Sequence, residues 1–161
     1  MYATILELAT ETVQHDLPAI ALQDMGRAVG EQGGAHEATE HMRTAIAEME
    51  SLAATLPALE REGWAERIRR SHHGLAFWLA RAGNRDEALA IFDDLLLTPN
   101  MSSHDRHSVQ LDRARVVGMA DRPSAIEDLD RLAEEVEASG VDAALASAAR
   151  LASFEFAIDE W

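Results

Sequence analysis

Four side chains at helical spacing could together bind a carboxylate and an apolar group. They are Arg70, His73, Phe77 and Arg81. Positions i, i+3, i+7 and i+11 share one face of an α-helix. Arginine can donate two parallel hydrogen bonds to one carboxylate, and an aromatic ring offers a flat apolar surface. The pattern favours a ligand-binding face, and its alternative is a solvated face with Phe77 packed in the core.

Histidine residues raise the question of a metal site. His104 and His107 are three residues apart, and His72 and His73 are adjacent. Zinc needs three or four convergent ligands, whereas adjacent residues of a helix point about 100° apart. This spacing is not a specific metal-binding motif. We therefore expect no bound metal and no other cofactor.

Common catalytic motifs are absent from the sequence. It has no glycine-rich phosphate loop, no nucleophile elbow and no His-Glu-x-x-His motif. It also has no cysteine, which excludes disulfides and thiolate chemistry. Glu37 and Glu87 are better explained as charges at helix N-termini than as a catalytic carboxylate pair. The sequence predicts a protein without catalytic residues and without enzymatic activity.

Apolar residues at helical spacing predict about eight helices and an all-α fold. The predicted helices cover 2–14, 16–32, 35–56, 64–82, 86–97, 103–118, 123–138 and 141–159. Gly33, Gly83 and Gly140 are expected to end helices, because glycine adopts the left-handed conformation at little cost. Gly63 is expected to interrupt helical structure just before the fourth helix begins. The acidic runs 127–130 and 134–137 are expected to form a solvated face.

One pattern occurs twice along the chain. A small residue inside an amphipathic helix is followed by a glycine turn and by Glu-Ala at the start of a second helix. The residues are Gly26, Gly33 and Glu37-Ala38 in one copy, and Ala76, Gly83 and Glu87-Ala88 in the other. Small residues let helix axes approach closely. A single hairpin cannot bury its apolar face alone, so the repetition predicts stacked helical hairpins.

This pattern resembles the tetratricopeptide repeat (TPR). Copies cover 17–51, 70–100 and 103–137, and Ser124-Ala125 replaces Glu-Ala in the third. Equivalent alanines are more widely spaced than the roughly 34 residues of the standard repeat, which suggests longer helices, as in the TPR-like sensor regions of bacterial transcription regulators. The resemblance implies one domain over 1–161, an all-α solenoid of antiparallel helix hairpins with a capping helix over 141–159.

The resemblance also implies a ligand-binding groove. In TPR proteins the first helix of each hairpin lines a concave groove. The matching residues are Gln23 and Arg27 in the first copy, Arg70, His73, Phe77 and Arg81 in the second, and His107, Gln110 and Arg115 in the third. The implied ligand is a protein or peptide segment that is acidic or ends in a free carboxylate.

Charge and composition narrow the partners. The net charge of −15 disfavours direct nucleic-acid binding. Residues 60–100 hold 7 acidic and 6 basic side chains, so a nearly neutral belt lies between two acidic regions. Every basic residue is arginine, which is typical of high-GC bacterial genes. No stretch reaches the roughly 20 apolar residues of a membrane span, and we expect a cytoplasmic protein that does not bind membranes.

The C-terminal helix is rich in large apolar residues, which are Leu145, Leu151, Phe154, Phe156, Ile158 and Trp161. A solenoid normally ends in a polar cap. We expect this helix to seal the last repeat with partial exposure, and a homodimer through the same helix stays an open alternative.

Three functional hypotheses follow. The first is a non-catalytic peptide-binding module with a helical-repeat groove. The second is a sensor or regulatory fragment related to bacterial transcription regulators, with a signal peptide or a small molecule as ligand. The third is a helical metal protein or enzyme that uses His104 and His107.

Overall fold

A computed structural model describes residues 17–140 and 142–158, except for the side chain of Leu59. Within these residues the chain forms seven helices and no strand, which confirms the all-α expectation. The helices are α1 (Leu17–Glu31), α2 (Ala35–Thr55), α3 (Ala58–Arg81), α4 (Arg85–Leu96), α5 (Ser103–Gly118), α6 (Arg122–Ser139) and α7 (Ala143–Ile158). The helix predicted over 2–14 lies outside the described residues.

Three glycines follow helix ends as predicted, and a serine caps the start of α5. Gly33, Gly83 and Gly140 have φ angles of 96°, 87° and 65°, in the left-handed region where glycine is favoured. Ser102 caps α5, because its hydroxyl oxygen accepts a hydrogen bond from the backbone N–H of Asp105. Most predicted boundaries therefore agree with the observed ones to within two residues.

The prediction at Gly63 was wrong. Helix α3 runs from Ala58 through Gly63 to Arg81 without interruption. A single glycine inside a helix costs only about 1 kcal/mol relative to alanine, so the packing of the flanking turns can maintain the helix. Gly63, unlike Gly33, Gly83 and Gly140, is not among the glycines with a positive φ.

The chain divides into two compact units, with the boundary between Ala82 and Gly83. In the first unit, α2 packs against both α1 and α3. The connections from α1 to α2 and from α2 to α3 are short, as in hairpins of antiparallel helices. Ala19, Ala45 and Met49 form a buried cluster against which Trp64 and Ile68 pack.

Two glycines allow close helix contacts in the first unit. A Cβ atom at Gly26 would lie 3.2 Å from the carbonyl oxygen of Ala38, so α1 and α2 approach closely at this point. A Cβ atom at Gly30 would lie 2.6 Å from the indole ring of Trp78 on α3. This confirms that Gly26 is a helix-contact residue.

In the second unit, α6 packs between α5 and α7, and α4 packs on α5. The apolar side of α6 is fully buried, with Leu129 and Ala133 at 0% exposure. The neighbouring acidic residues Glu127, Asp130 and Glu134 are exposed, which confirms that the acidic runs include a solvated face. Alanines of α7 complete this core.

Helix α6 starts with an acidic cap. Ser124 donates its hydroxyl to Asp121 Oδ2 at 2.7 Å and its backbone N–H to Oδ1 at 3.2 Å. The Ser124 hydroxyl bond, followed by the backbone bond, lowers the pKa of Asp121 below 3.8. The cap is therefore strongest while this carboxyl group is ionised.

None of the helices in the described part of the chain is long and apolar enough to cross a membrane.

The glycine contacts predict opposite effects of the same substitution. Gly63→Ala should raise the free energy of unfolding by about 0.5–1 kcal/mol, because the new methyl group meets no described atom and alanine favours the helix. Gly30→Ala should lower it by about 1–3 kcal/mol, because the methyl group would overlap the buried Trp78 ring. Urea unfolding of both variants measures the difference. Stabilisation by both would show that Trp78 does not pack on Gly30.

The Asp121 cap predicts a contribution to acid sensitivity. Its pKa is lower in the folded than in the unfolded state, so its contribution to stability is present above the unfolded value and is lost as pH falls through the folded one. Asparagine caps helices as well as aspartate but does not titrate. Asp121→Asn should therefore lose less stability than the wild type between about pH 5 and pH 2. Unfolding curves across this range test the expectation, and equal losses would contradict it.

Candidate functional site

The end of α3 carries a cation within cation–π distance of two aromatic rings. The guanidinium carbon of Arg81 lies 5.7 Å from the centre of the Phe77 ring and 5.8 Å from a ring of Trp78. The two aromatic rings are themselves in edge-to-face contact, with centroids 4.9 Å apart. Such cation–aromatic contacts are favourable and hold the charged group in a defined position.

Arg81 remains accessible in this arrangement. Its side chain is exposed, and the residues that the structure describes place no carboxylate within ion-pair distance of it. Phe77 is half-buried, whereas Trp78 is only 6% exposed. Trp78 thus anchors the cluster in the first unit, and Phe77 and Arg81 form its outer part.

The other predicted residues of α3 are differently engaged. Arg70 is 61% exposed and donates to Glu66 Oε1 one turn earlier at 2.5 Å. His73 lies between Arg70 and Phe77 in the sequence, and its side chain is half-buried. Exposed ion pairs of this kind contribute little to stability, so an external carboxylate can compete with Glu66 at modest cost.

The predicted residues of α1 belong to the same unit. Gln23 is half-buried, and Arg27 is 67% exposed and lies 3.7 Å from Asp24. Gly30, one turn after Arg27, contacts Trp78, one turn before Arg81. This contact brings the C-terminal parts of α1 and α3 together.

The predicted residues of the third copy lie in the second unit. His107 is only 4% exposed, and its Nε2 lies 3.4 Å from Glu135 Oε1 on α6. It therefore lies at the α5–α6 contact and not on an open surface. Arg115 is partly exposed and contacts Asp112 at 3.3 Å.

His104 and His107 have separate partners. His104 Nδ1 lies 2.8 Å from Asp142 Oδ2 at the start of α7, whereas His107 faces Glu135. Backbone and His104 hydrogen bonds, with the bond from the Leu145 N–H contributing most, lower the pKa of Asp142. Within residues 17–140 and 142–158, no three acidic or histidine side chains are grouped as metal ligands.

Sequence analysis missed a cleft in the second unit. It has a volume of about 270 Å³ and lies between α4, α5 and α6. Asp128 and Glu135 line it, although the sequence assigned both to the solvated face of α6. The spacing of 128, 131 and 135 along one side of α6 was the available signal, but only packing shows that α4 and α5 bound the same space.

The C-terminal helix exposes large apolar side chains. Leu151, Phe154 and Ile158 are 57%, 62% and 49% exposed, at the i, i+3, i+7 spacing of one helix face. Phe156 instead packs on the core of the second unit. The described part of α7 thus has both buried and exposed apolar side chains, and the seal on the last repeat and the homodimer both stay predictions.

The chain matches no protein-family profile, no curated protein and no solved structure.

The partial burial of Phe77 predicts an intermediate stability effect. Phe77→Ala should cost about 1–2 kcal/mol, less than the 3–5 kcal/mol expected when a fully buried aromatic residue is removed. Phe154→Ala is the matched control, because its ring is 62% exposed and the change should stay within about 0.5 kcal/mol. Chemical unfolding measures both values. A loss above about 3 kcal/mol would identify Phe77 as a core residue and remove it from the site.

Proposed function

We propose that this protein is a non-catalytic binding module that holds a peptide segment ending in a free carboxylate or carrying acidic residues. The accessible Arg81 guanidinium, in cation–π contact with Phe77 and Trp78, is the observation that carries this proposal. These contacts restrict the guanidinium before the ligand arrives, which reduces the entropy lost on binding. Its exposed N–H groups can then bind a carboxylate through two hydrogen bonds.

The TPR-like architecture is part of the proposal. Copy 17–51 corresponds to α1 and α2, and copy 103–137 corresponds to α5 and α6, and in each case the two helices pack together. Copy 70–100 spans the boundary between the two compact units. We propose the solenoid, the single domain and the capping role of the last helix on this basis and on the resemblance.

The residues of α3 suggest the form of the ligand. Arg70 and Arg81 are eleven residues apart, or about 16 Å along a helix. An extended peptide covers this distance in about five residues. We propose that a terminal carboxylate binds Arg81, an apolar side chain contacts Phe77 and an acidic side chain replaces Glu66 at Arg70. Arg27, Gln23 and His73 are the remaining residues that the first unit offers to this ligand.

The proposed setting is the cytoplasm of a bacterium. The sensor or regulatory fragment remains the second hypothesis, with a small molecule or signal peptide in place of a partner protein. The helical metal protein remains the third, and stoichiometric metal in the purified chain would favour it. The buried position of His107 gives the residues of the third copy a smaller part in peptide binding than those of α3.

A designed hexapeptide tests the proposal. The probe is acetyl-Glu-Ala-Ala-Ala-Leu-Ala with a free C-terminus, and its amidated form is the matched ligand. We expect weak binding that decreases with salt and is at least about fivefold weaker for the amide, because the amide removes one charge-assisted contact. Arg81→Gln should weaken binding of the free acid about tenfold, equivalent to about 1.4 kcal/mol. Calorimetric titration measures each affinity.

Arg43→Gln on α2 is the control for this experiment. It removes the same charge from the same unit at an exposed position outside the proposed site. Equal effects of the two arginine substitutions would show that only net charge matters. Equal binding of the acid and the amide would contradict a carboxylate site at Arg81.

A further inference from the structure

The cleft of the second unit has a defined pattern of charges. Its walls carry three carboxylates and two guanidinium groups. Arg113 Nε donates to Asp93 Oδ1 at 2.6 Å, which links α5 to α4. Arg131 is paired with Asp128 on α6. Both cations of the cleft are thus already paired with a carboxylate.

Glu135 is the one carboxylate of the cleft that takes part in neither arginine pair. Its contact in the described part of the chain is the imidazole of His107, at 3.4 Å, which is longer than a normal hydrogen bond. The Glu135 side chain is 54% exposed and lines the cleft. A cation that enters the cleft can therefore reach this carboxylate without breaking an arginine pair.

A second acceptor lies in the cleft wall. The Oε1 atom of Gln110 is buried and accepts no hydrogen bond from the described residues. An unsatisfied buried oxygen is costly, and a rotation of the Gln110 side chain that turns this oxygen towards a ligand N–H group in the cleft would remove the cost. Gln110 lies one turn after His107, the contact of Glu135, and both residues belong to α5.

The remaining wall is apolar. Leu96 of α4 and Leu132 of α6 line the cleft. A space of about 270 Å³ is small for a ligand pocket but can hold a short aliphatic chain with a polar end. Leucine side chains provide a favourable surface for the methylene groups of such a chain.

We propose that this cleft binds an alkylammonium group, with the cation at Glu135, an N–H directed to Gln110 and the methylene stem against Leu96 and Leu132. The surplus of one carboxylate favours a cation over an anion, because an anion would have to displace Asp93 or Asp128 from its arginine. The same chemistry occurs in free short diamines and in the lysine side chain. This site is independent of the carboxylate site proposed on α3.

Three probes with the same five-carbon stem separate charge from shape. Pentane-1,5-diamine carries two positively charged ammonium groups, pentan-1-ol is uncharged and glutarate carries two negatively charged carboxylate groups. We expect chemical-shift changes in the amides of α4, α5 and α6 on titration with the diamine, with at least tenfold weaker effects of the alcohol and of glutarate. Tighter binding of glutarate, or equal binding of the alcohol, would overturn the proposal.

Substitutions locate the cation. Glu135→Gln should weaken diamine binding at least tenfold, because it removes the charge and retains the shape. Glu127→Gln is the matched control on the exposed face of the same helix and should change the affinity less than twofold. Gln110→Leu, which removes the acceptor, should weaken binding several-fold. Retained affinity in Glu135→Gln, with circular dichroism confirming that the variant is folded, would overturn the assignment.

A lysine peptide identifies the source of the group. Acetyl-Gly-Lys-Gly-amide presents the same ammonium and stem on a blocked backbone. Binding as tight as that of the diamine assigns the group to a peptide side chain, and binding at least tenfold weaker assigns it to a free amine. If neither probe shifts the cleft amides, the proposal is wrong. Failure here leaves the Arg81 experiment unaffected, because that experiment uses other residues and a ligand of opposite charge.

Discussion

Close approach of neighbouring helices is the constraint on which the rest of this structure depends. Aromatic residues make up only 5% of the chain, and alanines occupy many core positions. Ala38, Ala88, Ala133 and Ala149 are each 0% exposed. Short side chains gain dispersion energy only if the helix axes come near one another, because dispersion decreases steeply with distance. The close contacts at Gly26 and Gly30 satisfy this requirement.

The same constraint explains where the large side chains lie. Trp78 finds space beside Gly30, which has no side chain to occupy it. Its neighbour Phe77 stays half-buried, and the Arg81 guanidinium carbon lies 5.7 Å from the centre of the Phe77 ring and 5.8 Å from a ring of Trp78. A thin core thus leaves aromatic surface accessible next to a cation, and the proposed carboxylate site rests on this combination.

In the second unit, charged residues line a cleft between helices that larger apolar side chains would fill. Helices α4 and α6 each pack on α5, and the Asp93–Arg113 pair links α4 to α5 across the cleft wall. Arg113 and Arg131 are each paired with an aspartate, which leaves Glu135 as the surplus charge of the cleft. The ligand proposed for the cleft is therefore a cation, whereas the ligand proposed for the end of α3 is an anion. The two proposed sites therefore differ in the sign of the charge they would bind, and the overall acidity of the chain predicts neither location.

The sequence by itself determined the secondary structure and most helix boundaries. Helical periodicity, the positive-φ glycines at 33, 83 and 140 and the Ser102 cap are local features, so they can be inferred from neighbouring residues. It also predicted that Phe77 and Arg81 share one helix face. It did not predict that Trp78 contacts both of them. Tertiary structure alone decided that His107 is buried against Glu135 and that Gln110, Arg113 and Glu135 line one cleft. These relations join residues of different helices, and their physical cause is the packing distance between helices, which periodicity within a single helix does not contain.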